Sequence, residues 1–248
     1  MPSLSALASR VVKRLPAKIR KLLPRKFRYH HNNPQQFVQR GDDVIYIGMW
    51  RTETMESWSR AIARRSGIGT SPNEGTLWIV EADPKNCEIL AYEAQRRELA
   101  NVKVINAALW SETKDLELSR QRVTDRNFVL ASNIIGKADL YSPDNMRETI
   151  IVKAYTLDTI IKDHGIPLNK VRHVHFTIGG SEVEALSGAD SLLQQGGTTI
   201  FIKSITRHRD SGARLVHDIL GFLKDRGISY SVRRTEKDGQ PKEILING

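Results

Sequence analysis

The sequence predicts an α/β domain with a mostly parallel sheet, helices on both faces and an antiparallel hairpin at the C-terminal end. Three observations carry that expectation. Apolar, strand-like runs alternate with helical segments from about residue 42 onward. Two early runs close on Gly48 and Glu81, residue types suited to a ligand-binding sheet edge. The last two runs are separated by the turn signal Lys237-Asp238-Gly239. Repeated strand–helix units pack well only when the strands run parallel and the helices cross over them.

Each element has its own justification. Asp43 to Gly48 is an apolar strand, followed by Met49 to Glu53 and a helix expected from about Thr54 to Ser66. Thr76 to Glu81 is a second strand, and Asp83-Pro84 behind it offers a helix cap with proline at the first helical position, opening a helix over 85–98. Asn101 to Asn106 is a third strand, running into Ala107. From about Arg120 to Glu148 the chain reads as irregular, with Gly136 and Ser142-Pro143-Asp144-Asn145 as loop signals. Thr149 to Lys153 is a strand, Leu157 to His164 a helix, Val171 to Ile178 a buried strand and Ser181 to Gln194 one continuous helix. Thr198 to Lys203 is a strand and Ser211 to Arg226 a helix, and the hairpin pairs Ile228 to Arg233 with Glu243 to Ile246.

The chemistry concentrates where the first two strands end. A carboxylate such as Glu81 at the tip of the second strand of a parallel sheet can accept hydrogen bonds from both hydroxyls of a ribose. The alternative is an acid that merely begins a helix, given the cap behind it. Gly48 permits a sharp turn and a close backbone approach. No G-x-G-x-x-G run is present, so a dinucleotide fingerprint is absent. A nucleoside without phosphate needs only one close glycine, an acid and apolar walls, a description that S-adenosylmethionine fits better than NAD. Trp50 and Trp110 follow strand ends and suit either an adenine pocket or ordinary packing.

With 248 residues and 40% hydrophobic content, the chain suits one domain of ordinary core size. Its charge is unevenly spread. Residues 1–40 hold ten basic residues and no acid, while the remaining 28 basic residues balance 28 acids, so the net charge of +10 belongs to an N-terminal extension over 1–40 and not to the domain over 41–248. In that extension Leu4, Leu7, Val11, Leu15, Ile19 and Leu22 recur at helical spacing opposite Lys and Arg, interrupted by Pro16 and Pro24. Contact with an anionic membrane surface is one reading. A solvated or core-docking tail, a nucleic-acid arm and an organellar targeting peptide are the others. Phe27, Tyr29 and Phe37 are the segment's only aromatic platforms, which makes nucleic acid the weaker partner. No run reaches the roughly 18 apolar residues of a membrane span, and no secretory leader is visible. The single cysteine, Cys87, excludes an intramolecular disulfide and favours a cytoplasmic protein, peripheral at a membrane if the extension binds one.

Four segments occur in a familiar order: Val80-Glu81-Ala82-Asp83-Pro84-Lys85-Asn86, Asn106-Ala107-Ala108-Leu109-Trp110-Ser111, Lys153 through Thr156-Leu157-Asp158, and Ile178 through Ala189. Over roughly residues 42 to 205 the chain resembles FkbM-type methyltransferases. The resemblance implies a Rossmann-like class I S-adenosyl-L-methionine-dependent methyltransferase fold with a seven-stranded sheet. It also implies O-methylation of a hydroxyl on a sugar, glycolipid or secondary metabolite. It sets Gly48, with Met49 and Trp50, in the first cofactor loop, Glu81 and Ala82 at the ribose, Asn106 and Ala107 at the adenine edge, and Gly180 and Glu182 at the end of a late Asp-x-Glu-Gly-x-Glu pattern. The sequence departs from the family at Tyr46, where an acid is usual, at Thr52 in place of a second glycine, and at Thr177 and Gly179 in place of both late carboxylates. These departures support a second reading, a non-catalytic binding module on the same fold.

Methyl transfer from a sulfonium depends mainly on alignment, and a hydroxyl acceptor gains a further 10²- to 10⁴-fold, roughly, from a base. His175, Glu182 and Asp158 are the candidates. On a buried strand His175 also suits a packed role, and Glu182 a first-turn acid favoured by the helix dipole. His173 and His175 share a strand face but lack a third ligand, so no metal is expected.

Overall fold

The computed structural model describes residues 37–49, 51–63, 75–121, 128–129, 146–178, 180–203, 209–235 and 241–247. Its strands are β1 (Asp43–Ile47), β2 (Leu77–Glu81), β3 (Val102–Asn106), β4 (Ala108–Leu109), β5 (Lys114–Gln121), β6 (Phe128–Val129), β7 (Met146–Tyr155), β8 (Val171–Phe176), β9 (Thr199–Lys203), β10 (Tyr230–Thr235) and β11 (Pro241–Asn247). Its α-helices are α1 (Thr52–Ile62), α2 (Pro84–Arg96), α3 (Leu157–Asp163), α4 (Glu182–Ser187), α5 (Asp190–Gln194) and α6 (Arg209–Asp225).

Seven strands form the main sheet in the order β10-β11-β9-β8-β1-β2-β3. β3, β2, β1, β8 and β9 run parallel, and β11 and β10 close the far edge antiparallel, as the turn signal at 237–239 leads one to expect. The chain leaves β1 in one direction toward β2 and β3 and returns on its other side through β8 and β9. The switch point of this sheet therefore lies between the C-terminal ends of β1 and β8, where ligands of open α/β sheets bind.

The two-residue period of the strands sorts the core into two layers. Val44, Tyr46, Leu77 and Ile79 project to one face and pack with Met55, Trp58 and Ile62 of α1 and Leu90 and Ala94 of α2. Ile45, Ile47, Val80, Val174, Phe176, Ile200 and Ile202 project to the other, against α3, α4 and α6. Outside the first layer, Glu56 of α1 pairs with Arg97 just after α2, and Arg97 Nε lies 2.8 Å from Glu93 of α2, tying the two helices together. At the opposite end of the sheet, buried Asp43 accepts from the Thr76 N–H (3.0 Å) and Trp78 Nε1 (3.1 Å), pinning the start of β1 to β2.

Four departures from the sequence reading have physical causes. First, β4, β7, β5 and β6 form a second, four-stranded sheet in that order. β5 starts six residues before the stretch that reads as irregular and runs into it, and β7 begins at Met146 rather than Thr149. Leu116 and Leu118 of β5 point into a small core with Trp110, Val152 and Ala154, while the intervening Asp115 and Glu117 face away and, as poor strand formers, weaken the strand signal. Residues 130–145 of that stretch lie outside the described residues.

Second, the single helix expected over 181–194 is two short helices. A Cβ on Gly188 would meet the Trp110 carbonyl oxygen at 2.5 Å and Thr156 Cβ at 2.9 Å, so the chain turns there against the β4 end. The helical spacing of Ala185, Leu186, Ala189 and Leu192, all buried, runs on across the break and hides it in the sequence. Third, α1 ends at Ile62, short of Ser66. Fourth, Phe37 and Val38, at the end of the basic segment, belong to the core: Val38 is buried, and the Phe37 ring sits 4.7 Å from that of His173 and 5.7 Å from that of Phe201. Residues 1–36, which carry the amphipathic pattern, lie outside the described residues. Among the described residues no helix is long and apolar enough to cross a membrane.

Candidate active site at the switch point

β1 ends where its backbone bends into the left-handed region at Gly48, φ +79°. The Gly48 N–H donates to the Val80 carbonyl at 2.9 Å, holding the bend against β2. A Cβ there would lie 2.7 Å from the Thr177 carbonyl oxygen and 3.0 Å from Ile178 Cγ2, so glycine is required both by conformation and by the close approach of the chain leaving β8. Thr177 bridges the switch point. Its N–H donates to Ile47 O at 3.0 Å, and its hydroxyl lies 3.0 Å from both Ile47 O and Gly48 O. The position that the family fills with a carboxylate is here a hydroxyl that cross-links β1 to β8. Met49 is fully buried and packs under β1 with Tyr46 and Trp58, so its side chain is core. Trp50 and Gly179 lie outside the described residues. Thr52 opens α1, and its hydroxyl accepts from Arg97 at 3.3 Å.

Glu81 ends β2 and is 7% exposed. Among the described residues its Oε1 accepts from the Asp83 N–H at 3.0 Å and Asn86 Nδ2 at 3.3 Å, and the Ala82 backbone adds a weaker donor to the carboxylate. Burial outweighs those donors and pushes Glu81 up to about 7, with the neighbouring Asp83 adding to the rise. The turn behind it is the cap expected from the sequence. Asp83 Oδ1 accepts from the Lys85 N–H at 2.8 Å, with Pro84 first in α2. Glu81 is thus distinct from the helix cap, a role Asp83 alone fills. From β3, Asn106 Nδ2 reaches the Glu81 and Ala82 carbonyls at 3.1 Å each and Cys87 Sγ at 3.4 Å, and Ala107 N–H donates to Glu81 O at 3.0 Å. Asn106 therefore spends its amide on the β2 turn, a role its motif position did not reveal. Ala82 packs against the small core beneath the second sheet, so that sheet stands beside Glu81. Cys87 is buried, and burial together with Glu81 pushes its thiol up to about 12, leaving it a neutral, unreactive group.

The three base candidates do not converge. His175 is 1% exposed, with its ring 4.4 Å from Tyr46 and nearly parallel to it, 4.7 Å from Phe201 and edge-on to Trp58. Neither of its ring nitrogens has a hydrogen-bond partner among the described residues. Burial, aided by His173 and Lys203, holds it well below the usual imidazole range. Tyr46, where the family has an acid, is the other half of this stack. Glu182 is fully buried, and its Oε2 accepts from the Gly180 N–H at 2.8 Å, shaping the turn into α4. Asp158 lies at the start of α3, and both of its oxygens accept from the Ser191 N–H at 3.2 Å, so it caps α5 from outside that helix. Among the described residues no group of three or more His, Cys, Asp or Glu side chains could hold a metal ion.

A seven-stranded sheet that switches direction beside a glycine bend, with an acid on the tip of the next strand, defines a class I methyltransferase fold. The sequence matches the methyltransferase FkbM domain over residues 45–230. The chain belongs to that family. The structure is similar to the methyltransferase FkbM of Methylobacillus flagellatus KT, with a TM-score of 0.51 and 14% identity over 89% of this chain and 46% of that one. The chain thus spans just under half the length of that protein. It is also similar to an O-methyltransferase from Bacillus cereus in complex with SAH, with a TM-score of 0.49 and 14% identity over 100% of this chain and 93% of the other. A SAM-dependent methyltransferase from Aquifex aeolicus gives a TM-score of 0.47 and 13% identity, over 94% and 96% of the two chains. No curated protein sequence matches the chain at a significant level.

Proposed function

We propose that the protein binds S-adenosyl-L-methionine at the C-terminal edge of the main sheet and methylates a hydroxyl of a small-molecule or glycan acceptor. The observation that carries this is Glu81, a nearly buried carboxylate on the tip of β2 whose Asp83 and Asn86 donors both fall on Oε1. That donor set suits a ribose, whose hydroxyls donate to a carboxylate. Gly48, Ala82, Asn106 and Ala107 frame the same edge. When bound, S-adenosylmethionine supplies an electrophilic methyl group on a sulfonium.

What the chain contributes is orientation. The fixed β2 turn holds the nucleoside, and the second sheet packs beside Ala82 at the same edge. Orientation of this kind contributes up to about 7–11 kcal/mol in ideal cases. His175 is sealed in the core and Glu182 and Asp158 are engaged with backbone N–H groups, so the acceptor's proton leaves without help from these three. Transfer of a labelled methyl group from S-adenosylmethionine to a panel of sugars, glycolipids and hydroxylated metabolites tests the activity. Labelling of at least one hydroxyl supports it, and labelling of none refutes it.

One observation favours the second reading, a binding module that has lost the chemistry. The space that a side chain at position 48 would take is filled by Thr177 and Ile178, and Thr177 stands where the family has a carboxylate. S-adenosylhomocysteine binding without any labelled product is the outcome that selects it. The charge of residues 1–40 supports peripheral contact with an anionic membrane. Co-sedimentation with anionic but not neutral vesicles, lost at high salt, is the expected result. Equal recovery with both vesicles contradicts it.

A further inference from the structure

The Glu81 carboxylate has one side-chain donor among the described residues, Asn86. The Glu81 backbone is fixed from β3 by Asn106, whose amide reaches the carbonyls of both Glu81 and Ala82 at 3.1 Å. The turn that follows is fixed by the Asp83 cap, which accepts from Lys85 N–H at 2.8 Å, and by the Cys87 N–H, which donates to Asp83 O at 3.0 Å. With the main chain held in this way, Oε1 of the carboxylate receives the Asp83 N–H and one side-chain donor, Asn86 Nδ2, with a weaker contribution from the Ala82 backbone to the carboxylate.

We propose that Asn86, in the first turn of α2, is a positioning residue: by holding Oε1 it fixes the Glu81 rotamer and leaves Oε2 for the hydroxyls of a ribose. This rests on the reading of Glu81 as the ribose acceptor. Asn86 lies five residues beyond Glu81 and donates nothing to the helix ladder through its side chain, so its removal leaves the Asp83 cap and the Asn106 contacts in place. The amide also favours the ionised form of Glu81, the form that accepts two hydroxyl donors. The titratable groups facing Glu81 are Asp83 on the turn, which disfavours ionisation, and Cys87 on α2, which stays neutral; β3 contributes the uncharged Asn106.

The test is calorimetric titration of the full chain with S-adenosylhomocysteine between about pH 6 and 9, for the wild type, Glu81→Gln, Asn86→Ala and Asn86→Asp. Wild-type affinity should rise through about pH 7, where Glu81 ionises, and Glu81→Gln should bind weakly without that rise. Asn86→Ala should bind about tenfold more weakly at neutral pH, with its midpoint displaced upward and the deficit narrowing toward pH 9. Asn86→Asp, which adds a like charge, should move the midpoint further. A merely structural asparagine would lower affinity equally at every pH. An Asn86→Ala midpoint equal to that of the wild type overturns the positioning role while leaving the ribose site intact. Absence of wild-type binding, or a Glu81→Gln profile identical to the wild type, overturns both.

Discussion

Lowering the pH from about 7.5 to 4.5 charges His175 in the unfolded chain but not in the folded one. In the native state the imidazole lies between Tyr46 and Phe201, fully buried and with no hydrogen-bond partner for either nitrogen among the described residues. Its folded affinity for a proton is therefore depressed well below the usual value of 6.5. Below that value the unfolded state binds the proton and the folded state does not, so folding loses about 1.4 kcal/mol per pH unit. By pH 4.5 the loss is about 2.7 kcal/mol, provided the native ring stays neutral. Glu81 acts in the opposite sense. Raised to about 7, it takes a proton in the folded state before it does so in the unfolded one, adding about 3 kcal/mol of stability as pH falls from 7 to its ordinary range. The two slopes nearly cancel in the wild type, and only a difference experiment separates them.

His175→Leu is that experiment, because leucine has similar volume and no charge to gain. Urea unfolding followed by tryptophan fluorescence should find the variant as stable as the wild type or more so at pH 7.5. Two unsatisfied ring nitrogens are removed there, at about 1–3 kcal/mol, against about 0.5–1.5 kcal/mol of lost stacking. The gap in favour of the variant should then widen by about 2.7 kcal/mol on going to pH 4.5. A gap that does not change with pH would mean that His175 is protonated or hydrogen-bonded in the native state, and the argument for a sealed ring fails. Loss of methyl transfer in the variant at full stability would return the ring to the chemistry.

Gly48→Ala should destabilise the fold by at least about 2 kcal/mol in urea, because it adds left-handed strain to a contact with Thr177 O; a change below about 0.5 kcal/mol would refute the close approach. Asp158→Ala should lower stability by about 0.5–2 kcal/mol through the lost α5 cap and leave the turnover of the folded enzyme unchanged. Turnover reduced by a hundredfold at equal stability would instead mark Asp158 as a base.

The main sheet was legible because its signals are local. Apolar runs of five or six residues, the Gly48 bend and the Asp83-Pro84 cap each act within a few residues, and each lies where the chain turns or pairs as expected, while the strands on either side of 237–239 pair antiparallel. What was hidden depends on contacts distant in sequence. The break at Gly188 is enforced by Trp110 and Thr156, and the β5 strand by pairing with β7 some thirty residues on. Glu81 was legible as the acid of the second strand because β strands of this type deliver their last side chain to the sheet edge. Its partners were not. Nothing in the sequence states that Asn106 turns its amide onto the β2 carbonyls, or that Thr177 replaces a lost charge with a hydroxyl cross-link to Ile47 and Gly48. The commitments of His175, Glu182 and Asp158 were hidden for the same reason: a titratable residue type announces chemistry, and only packing shows that the group is already engaged.

Isothermal titration of the wild type and Glu81→Ala with S-adenosyl-L-methionine at pH 8, where Glu81 is ionised, tests the central claim most directly. Saturable heat from the wild type is expected, with affinity lower by roughly tenfold or more in the variant, the loss of a charge-assisted bond pair. Millimolar ligand without heat, or equal affinity in both proteins, would mean that no ribose rests on the tip of β2.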